Sequence, residues 1–111
     1  MNSIKASYEK RTIGTNVELV VAFSNEGTGL LALLFNGEFD SFYDWMYENV
    51  SKSLEDSTDR EIAGNICKLA ISKDYTIIYD LMSNDDSFFK IETLNLKELM
   101  CEWKKEFDSI K

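Results

Sequence analysis

Between Asn65 and the C-terminus the chain changes its hydrophobic period from that of a strand to that of a helix. This change constrains the fold more than any other feature. Three runs rich in β-branched and aromatic residues, 65–72, 75–82 and 88–93, are separated by Lys73-Asp74 and by Ser83-Asn84-Asp85-Asp86. Turn formers between such runs predict an antiparallel meander. From Asn95 onward Leu96, Leu99, Met100, Trp103, Phe107 and Ile110 recur at spacings of three and four, the apolar stripe of an amphipathic helix. Asn95 followed by Glu98 spells a capping box. Such a helix is expected to cover one face of the meander.

A second helix fits 41–55, where Phe39, Phe42, Tyr43, Met46, Val50 and Leu54 keep the helical period and Asp40 or Ser41 supplies the cap. Trp45 and Tyr47 fall beside or opposite that stripe, which predicts an aromatic near the surface. The first 37 residues are less determined. Residues 3–12 suit an edge strand, and Val17, Leu19, Val21 and Phe23 alternate as a strand does. Gly27-Thr28-Gly29 reads as a hairpin turn, and the run 30–35, closed by Asn36-Gly37, suits a strand or a short buried helix equally. The expected architecture is a single α+β domain spanning 1–111, an antiparallel β-meander at about 65–93 packed with two amphipathic helices at about 41–55 and 96–110. A compact chain of this length has a radius of gyration of roughly 13 Å.

Absences exclude whole classes of chemistry. Among 111 residues there is no histidine, so there is no Ser-His or Cys-His dyad and no imidazole metal ligand. Cys67 and Cys101 lie in apolar patterns without a Cys-x-x-Cys pair, which predicts reduced, partly buried thiols rather than zinc ligands or a disulfide framework. Gly27-Thr28-Gly29 lacks both the third glycine of a dinucleotide fingerprint and the Gly-Lys-Ser/Thr of a phosphate loop. Asp80, Asp85 and Asp86 crowd a turn but do not spell a calcium loop. No catalytic residue, metal site or cofactor is expected. The longest apolar run is six residues, far below a membrane span, and the N-terminus lacks the apolar core of a secretory signal. The chain is therefore expected in the cytoplasm, away from membranes.

Charge is the remaining signal. The net charge is −8, and most of it sits between Glu38 and Glu61, where eight carboxylates face only Lys52 and Arg60. A phosphate backbone would be repelled, so direct nucleic-acid binding is excluded. A clustered anionic field suits a basic protein partner, with aromatic side chains as anchors. On charge and geometry the expected partner-binding residues are Glu38, Asp40, Asp44, Trp45, Tyr47, Glu48, Glu55, Asp56, Asp59 and Glu61.

In size, in its acidic 38–61 segment and in the passage Phe-Phe-Lys-Ile-Glu-Thr-Leu-Asn-Leu-Lys-Glu-Leu-Met-Cys-Glu-Trp from Phe88 to Trp103, the chain resembles the small acidic immunity proteins of bacterial polymorphic-toxin systems, including the CdiI proteins of contact-dependent growth inhibition. The resemblance implies a cytoplasmic, non-enzymatic protein. It would bind one cognate toxin domain as a monomer or 1:1 heterodimer and cover its active site or substrate groove. A basic nuclease is the target that suits an acidic plug. The alternative is an acidic DNA mimic or regulatory protein that occupies a DNA-binding protein. An enzyme built on a carboxylate pair ranks behind both.

Overall fold

Alternation of inward and outward side chains builds the larger of two sheets. In a computed structural model of the protein, which describes residues 4–25, 27–83 and 87–110, the strands β3 (Arg60–Ala63), β4 (Cys67–Ile71), β5 (Tyr75–Asp80) and β6 (Phe88–Glu92) form an antiparallel meander in that order. Cys67, Leu69 and Ile71 of β4 and Thr76 and Ile78 of β5 are buried, at every second position, as a half-covered sheet requires. The part of the 83–86 turn at 84–86, with Asp85 and Asp86, lies outside the described residues.

Strand β3 is one more than the sequence suggested. Its four residues alternate partly buried and exposed, with Ile62 turned inward and Glu61 outward. A short, charged strand is how a sheet edge is commonly protected, and for the same reason it carries little hydrophobic pattern. It is reached through a tight turn. Ser57 ends the preceding helix with φ 61°, and its N–H donates to the Ser53 carbonyl at 3.0 Å.

The N-terminal part forms a separate two-stranded ribbon, β1 (Ala6–Ile13) and β2 (Asn16–Phe23), closed by Gly14-Thr15. Gly14 adopts φ 63° at the first loop position while Thr15 does not share the left-handed region, which fits a type II′ turn. Gly27-Thr28-Gly29 is therefore not the hairpin turn. It leads into α1 (Gly29–Leu33), which runs through a widened π-helical turn, Leu34–Glu38, into α2 (Phe39–Asp56). The 30–35 run is thus helical. Leu31, Leu34 and Phe35 are buried on one face, but the partly buried Leu30, Ala32 and Leu33 between them are apolar too, which explains why no period marked the run. Asn36-Gly37 lies within the π turn instead of closing a strand, and because the helix runs straight through, neither Asp40 nor Ser41 caps α2.

Helix α3 (Thr93–Ser109) packs on α2, β5 and β6 and buries Leu96, Leu99, Met100 and Trp103. It begins at Thr93, whose hydroxyl donates to the Ser72 carbonyl at 2.6 Å and pairs with the Thr76 hydroxyl at 2.8 Å. The proposed capping box is consequently not used. Asn95 sits inside the helix, and its side chain bonds the backbone of Ile4. One cluster of buried side chains joins the ribbon, the helices and the meander, and the Cα radius of gyration is 13.8 Å. Both thiols are free: Cys101 is exposed, and Cys67 is buried with its pKa pushed up to about 12, chiefly by burial and further by Glu38 and Asp80.

Candidate acidic face and groove

An α-helix turns by roughly 100° per residue, which places Asp40, Asp44, Glu48 and Glu55 within an arc of roughly 80° on α2. All four are exposed. Trp45 flanks the arc on one side and is 43% exposed. Tyr47 flanks the other, half-buried, its ring stacked on Tyr43 at 5.6 Å and its hydroxyl 3.4 Å from Cys101 Sγ. The hydrogen bond to Cys101 raises the Tyr47 pKa.

These carboxylates differ in how much of their charge is already used. Lys52 Nζ lies 2.8 Å from Glu48 and holds its carboxyl below the ordinary range. Arg60 grips Asp56 with two bonds, at 2.9 and 2.7 Å, and pulls that carboxyl well below the usual carboxylate value, helped by the Thr58 N–H. Glu61 is 3.5 Å from Lys68. Asp40, Asp44, Glu55 and Asp59 have no ion pair with any described residue. Their field reaches solvent undiminished by a bonded cation.

Glu38 is a correction. It is only 1% exposed, and its carboxylate accepts the backbone N–H groups of Asn65 and Cys67, each at 3.1 Å. A Cβ at Gly64 would overlap that carboxylate, so the glycine makes the room it occupies. Glu38 thus fastens the start of α2 to the β3–β4 turn and offers nothing to a partner. Nor do the remaining residues form one surface. Asp56, Asp59 and Glu61 gather at the far end of α2 around the β3 edge, where Asp59 and Glu61 line a shallow depression of about 250 Å³.

At the other end of α2 there is a groove that sequence reasoning missed. A cavity of about 330 Å³ lies between residues 17–20 of β2 and the side chains of Trp103 and Phe107, with Asn36 and Asp40 on its floor and rim. A second cavity of about 310 Å³ adjoins it across Asp40, Trp103 and Phe107 and is bounded by Asp44, Trp45 and Lys104. Trp103 and Phe107 stack at 4.7 Å, and Trp103 also stacks on Tyr43, whose hydroxyl donates to the Met100 carbonyl at 2.7 Å. The α3 stripe had marked both aromatics as core. Glu18, which lines the first cavity without an ion pair, left no signal in the sequence at all. The arrangement offers three unpaired carboxylates, Glu18, Asp40 and Asp44, beside aromatic walls. Cations and extended basic chains are what such a lining attracts.

Among the described residues no helix is long and apolar enough to cross a membrane. No family model and no solved structure matches the chain. A curated protein of Bacillus cereus named "Immunity protein" is 33% identical to it over 99 residues, covering 84% of this chain and 84% of the relative.

Proposed function

The chain belongs to the immunity-protein family, and from that premise we propose that it binds a cognate toxin domain in the cytoplasm and keeps it inactive, without catalysis of its own. The observation that carries the mode of binding is the set of exposed, unpaired carboxylates Asp40, Asp44 and Glu55 along α2, joined by Glu18 across the groove. Their charge is not spent inside the molecule, so it is available to a basic surface. Trp45 and Tyr47 supply apolar area beside them, as an interface anchor must. A nuclease fits this face best, because a groove that holds phosphates is itself basic. The whole chain acts as one immunity domain and forms a 1:1 complex with its toxin, of the kind found in polymorphic-toxin systems, contact-dependent growth inhibition among them.

Two measurements test the reading. Cells expressing the toxin domain encoded beside this chain should survive only when the chain is co-expressed. Death in its presence removes the immunity role. With the purified toxin domain, the double variant Asp40→Lys, Asp44→Lys should associate about tenfold more slowly at low salt and lose most of the salt dependence of the association rate. Unchanged rates would remove the acidic face while leaving immunity itself standing.

A further inference from the structure

The ribbon has two outer edges, and among the described residues a side-chain amide pairs β2 at Val21 and the chain just before β1 at Ile4. Asn36 accepts the Val21 N–H at 3.0 Å through Oδ1 and donates to the Val21 carbonyl at 3.0 Å through Nδ2. On the opposite edge Asn95 does the same for Ile4, at 3.0 and 3.4 Å. Each amide thus imitates one residue of an added strand. Because Val21 points its N–H and C=O away from β1, and antiparallel pairs alternate, the same is true two and four residues earlier, at Leu19 and Val17. The closing pair Ile13↔Asn16 of a two-residue hairpin gives the same parity. No described residue pairs with the outward backbone groups of Val17 or Leu19. Both residues line the first cavity, directly along the edge from the Asn36 contact.

We infer that an extended basic segment of the toxin partner adds to the ribbon as a third strand along β2, pairing with Val17 and Leu19 and lying in the groove beneath Glu18 and Asp40. The inference rests on the immunity reading above. An edge with free N–H and C=O groups binds extended chain of almost any sequence, and the groove lining selects among them. Here the selection is for positive charge, since Glu18, Asp40 and Asp44 have no cation of their own. Phe107, partly exposed where it backs the stacked Trp103, favours arginine, whose planar head stacks on rings. Asn36 sets the end of the added strand, because it already fills the pairing position at Val21. About three partner residues, spanning roughly 10 Å, match the stretch that remains.

Proline provides the test. Val17→Pro removes the N–H that faces the groove and leaves the β1–β2 ladder intact, since that N–H is not part of it. Thr12→Pro, at the cross-strand partner of Val17, does the same on the opposite edge and serves as the control. With the purified toxin domain encoded beside this chain, V17P should weaken the complex by about tenfold, the order expected for one lost hydrogen bond, and T12P should not. In the wild-type complex, amide hydrogen exchange at Val17 and Leu19 should slow by about tenfold or more, while Lys10 and Thr12 exchange as in the free protein. The exchange measurement needs no variant and stands even if a proline disturbs the ribbon. Equal binding of V17P and T12P, with unchanged exchange at Val17 and Leu19, would overturn strand addition but leave immunity in place. Absence of any wild-type complex would remove both.

Discussion

The two sheets of this protein are held by different means. The meander is built from buried alternate positions: Leu69 and Ile78 at its centre are fully inaccessible, and α3 and α2 lie against it. The ribbon contributes only Val21 as a fully buried side chain, and residues 9–18 at its outer half are all exposed, including Ile13 at 58%. Beyond the partly buried Ala6, Tyr8, Leu19 and Phe23 that pack on the core, it is fastened by Asn36, by Asn95 and by a long contact of 3.4 Å from the Tyr8 hydroxyl to Glu102. Apolar burial makes the first sheet part of the cooperative core. Side-chain amides leave the second in register with its backbone groups partly unused. The sheet with fewer buried side chains is the one with an edge to offer.

Removing side chains from each sheet should separate them. Ile78→Ala deletes a fully buried residue at the centre of the meander and should cost about 3 kcal/mol, read as a shift of the urea midpoint; Val21→Ala in the ribbon should cost roughly half of that. Equal costs would mean that the ribbon is as integral as the meander. Glu38→Ala orphans the buried Cys67 N–H and the partly buried Asn65 N–H and should cost about 2 kcal/mol, and Gly64→Ala should lose a comparable amount by displacing the same carboxylate. A neutral Gly64→Ala would show that the β3–β4 turn yields easily.

Smaller changes sharpen the contrast. Asn36→Ala should cost only about 1 kcal/mol, yet it should speed amide exchange across β2 while leaving β4 and β5 as they were. Exchange that rises in both sheets together would deny them separate stabilities. The smallest effect is expected from the Asp56–Arg60 pair at the end of α2. Arg60 holds the Asp56 carboxyl below its unfolded value near 3.9, so its stabilisation is fully present above about pH 5 and is lost as the pH falls. The melting temperature of Asp56→Asn should therefore lie slightly below wild type at neutral pH and converge with it in acid. A gap that persists unchanged into acid would place the contribution elsewhere.

Much of the architecture was readable because burial writes periodicity. The α3 stripe, the α2 stripe and strands β4 to β6 each bury one face, so their apolar residues recur at the spacing of the element. Where the outward positions were apolar too, or burial was nearly absent, the period vanished. Residues 30–35 carry apolar side chains on every side although only one face is fully buried, and β3 carries one inward aliphatic, Ile62, between Glu61 and Ala63, so neither declared itself. The caps failed for a different reason. Asn95 has the chemistry of a helix cap and also that of a strand mimic, and the nearness of Ile4 decided between them.

The acidic segment divides along the same line. Composition alone determined that residues 38–61 carry most of the charge, that histidine chemistry and phosphate loops are absent, and that the chain can fill a core. Which carboxylates face outward depended on the third dimension. Glu38 and Asp40 are two residues apart, yet one is locked under the β3–β4 turn by two backbone N–H groups and the other stands at the rim of a groove. Glu18, distant in sequence, shares that groove because the ribbon folds back over α3. Local sequence sets charge and period because these belong to single residues and their near neighbours. Desolvation, ion pairing and the free edge of a strand depend on what the rest of the chain brings alongside, and only the tertiary structure decides that.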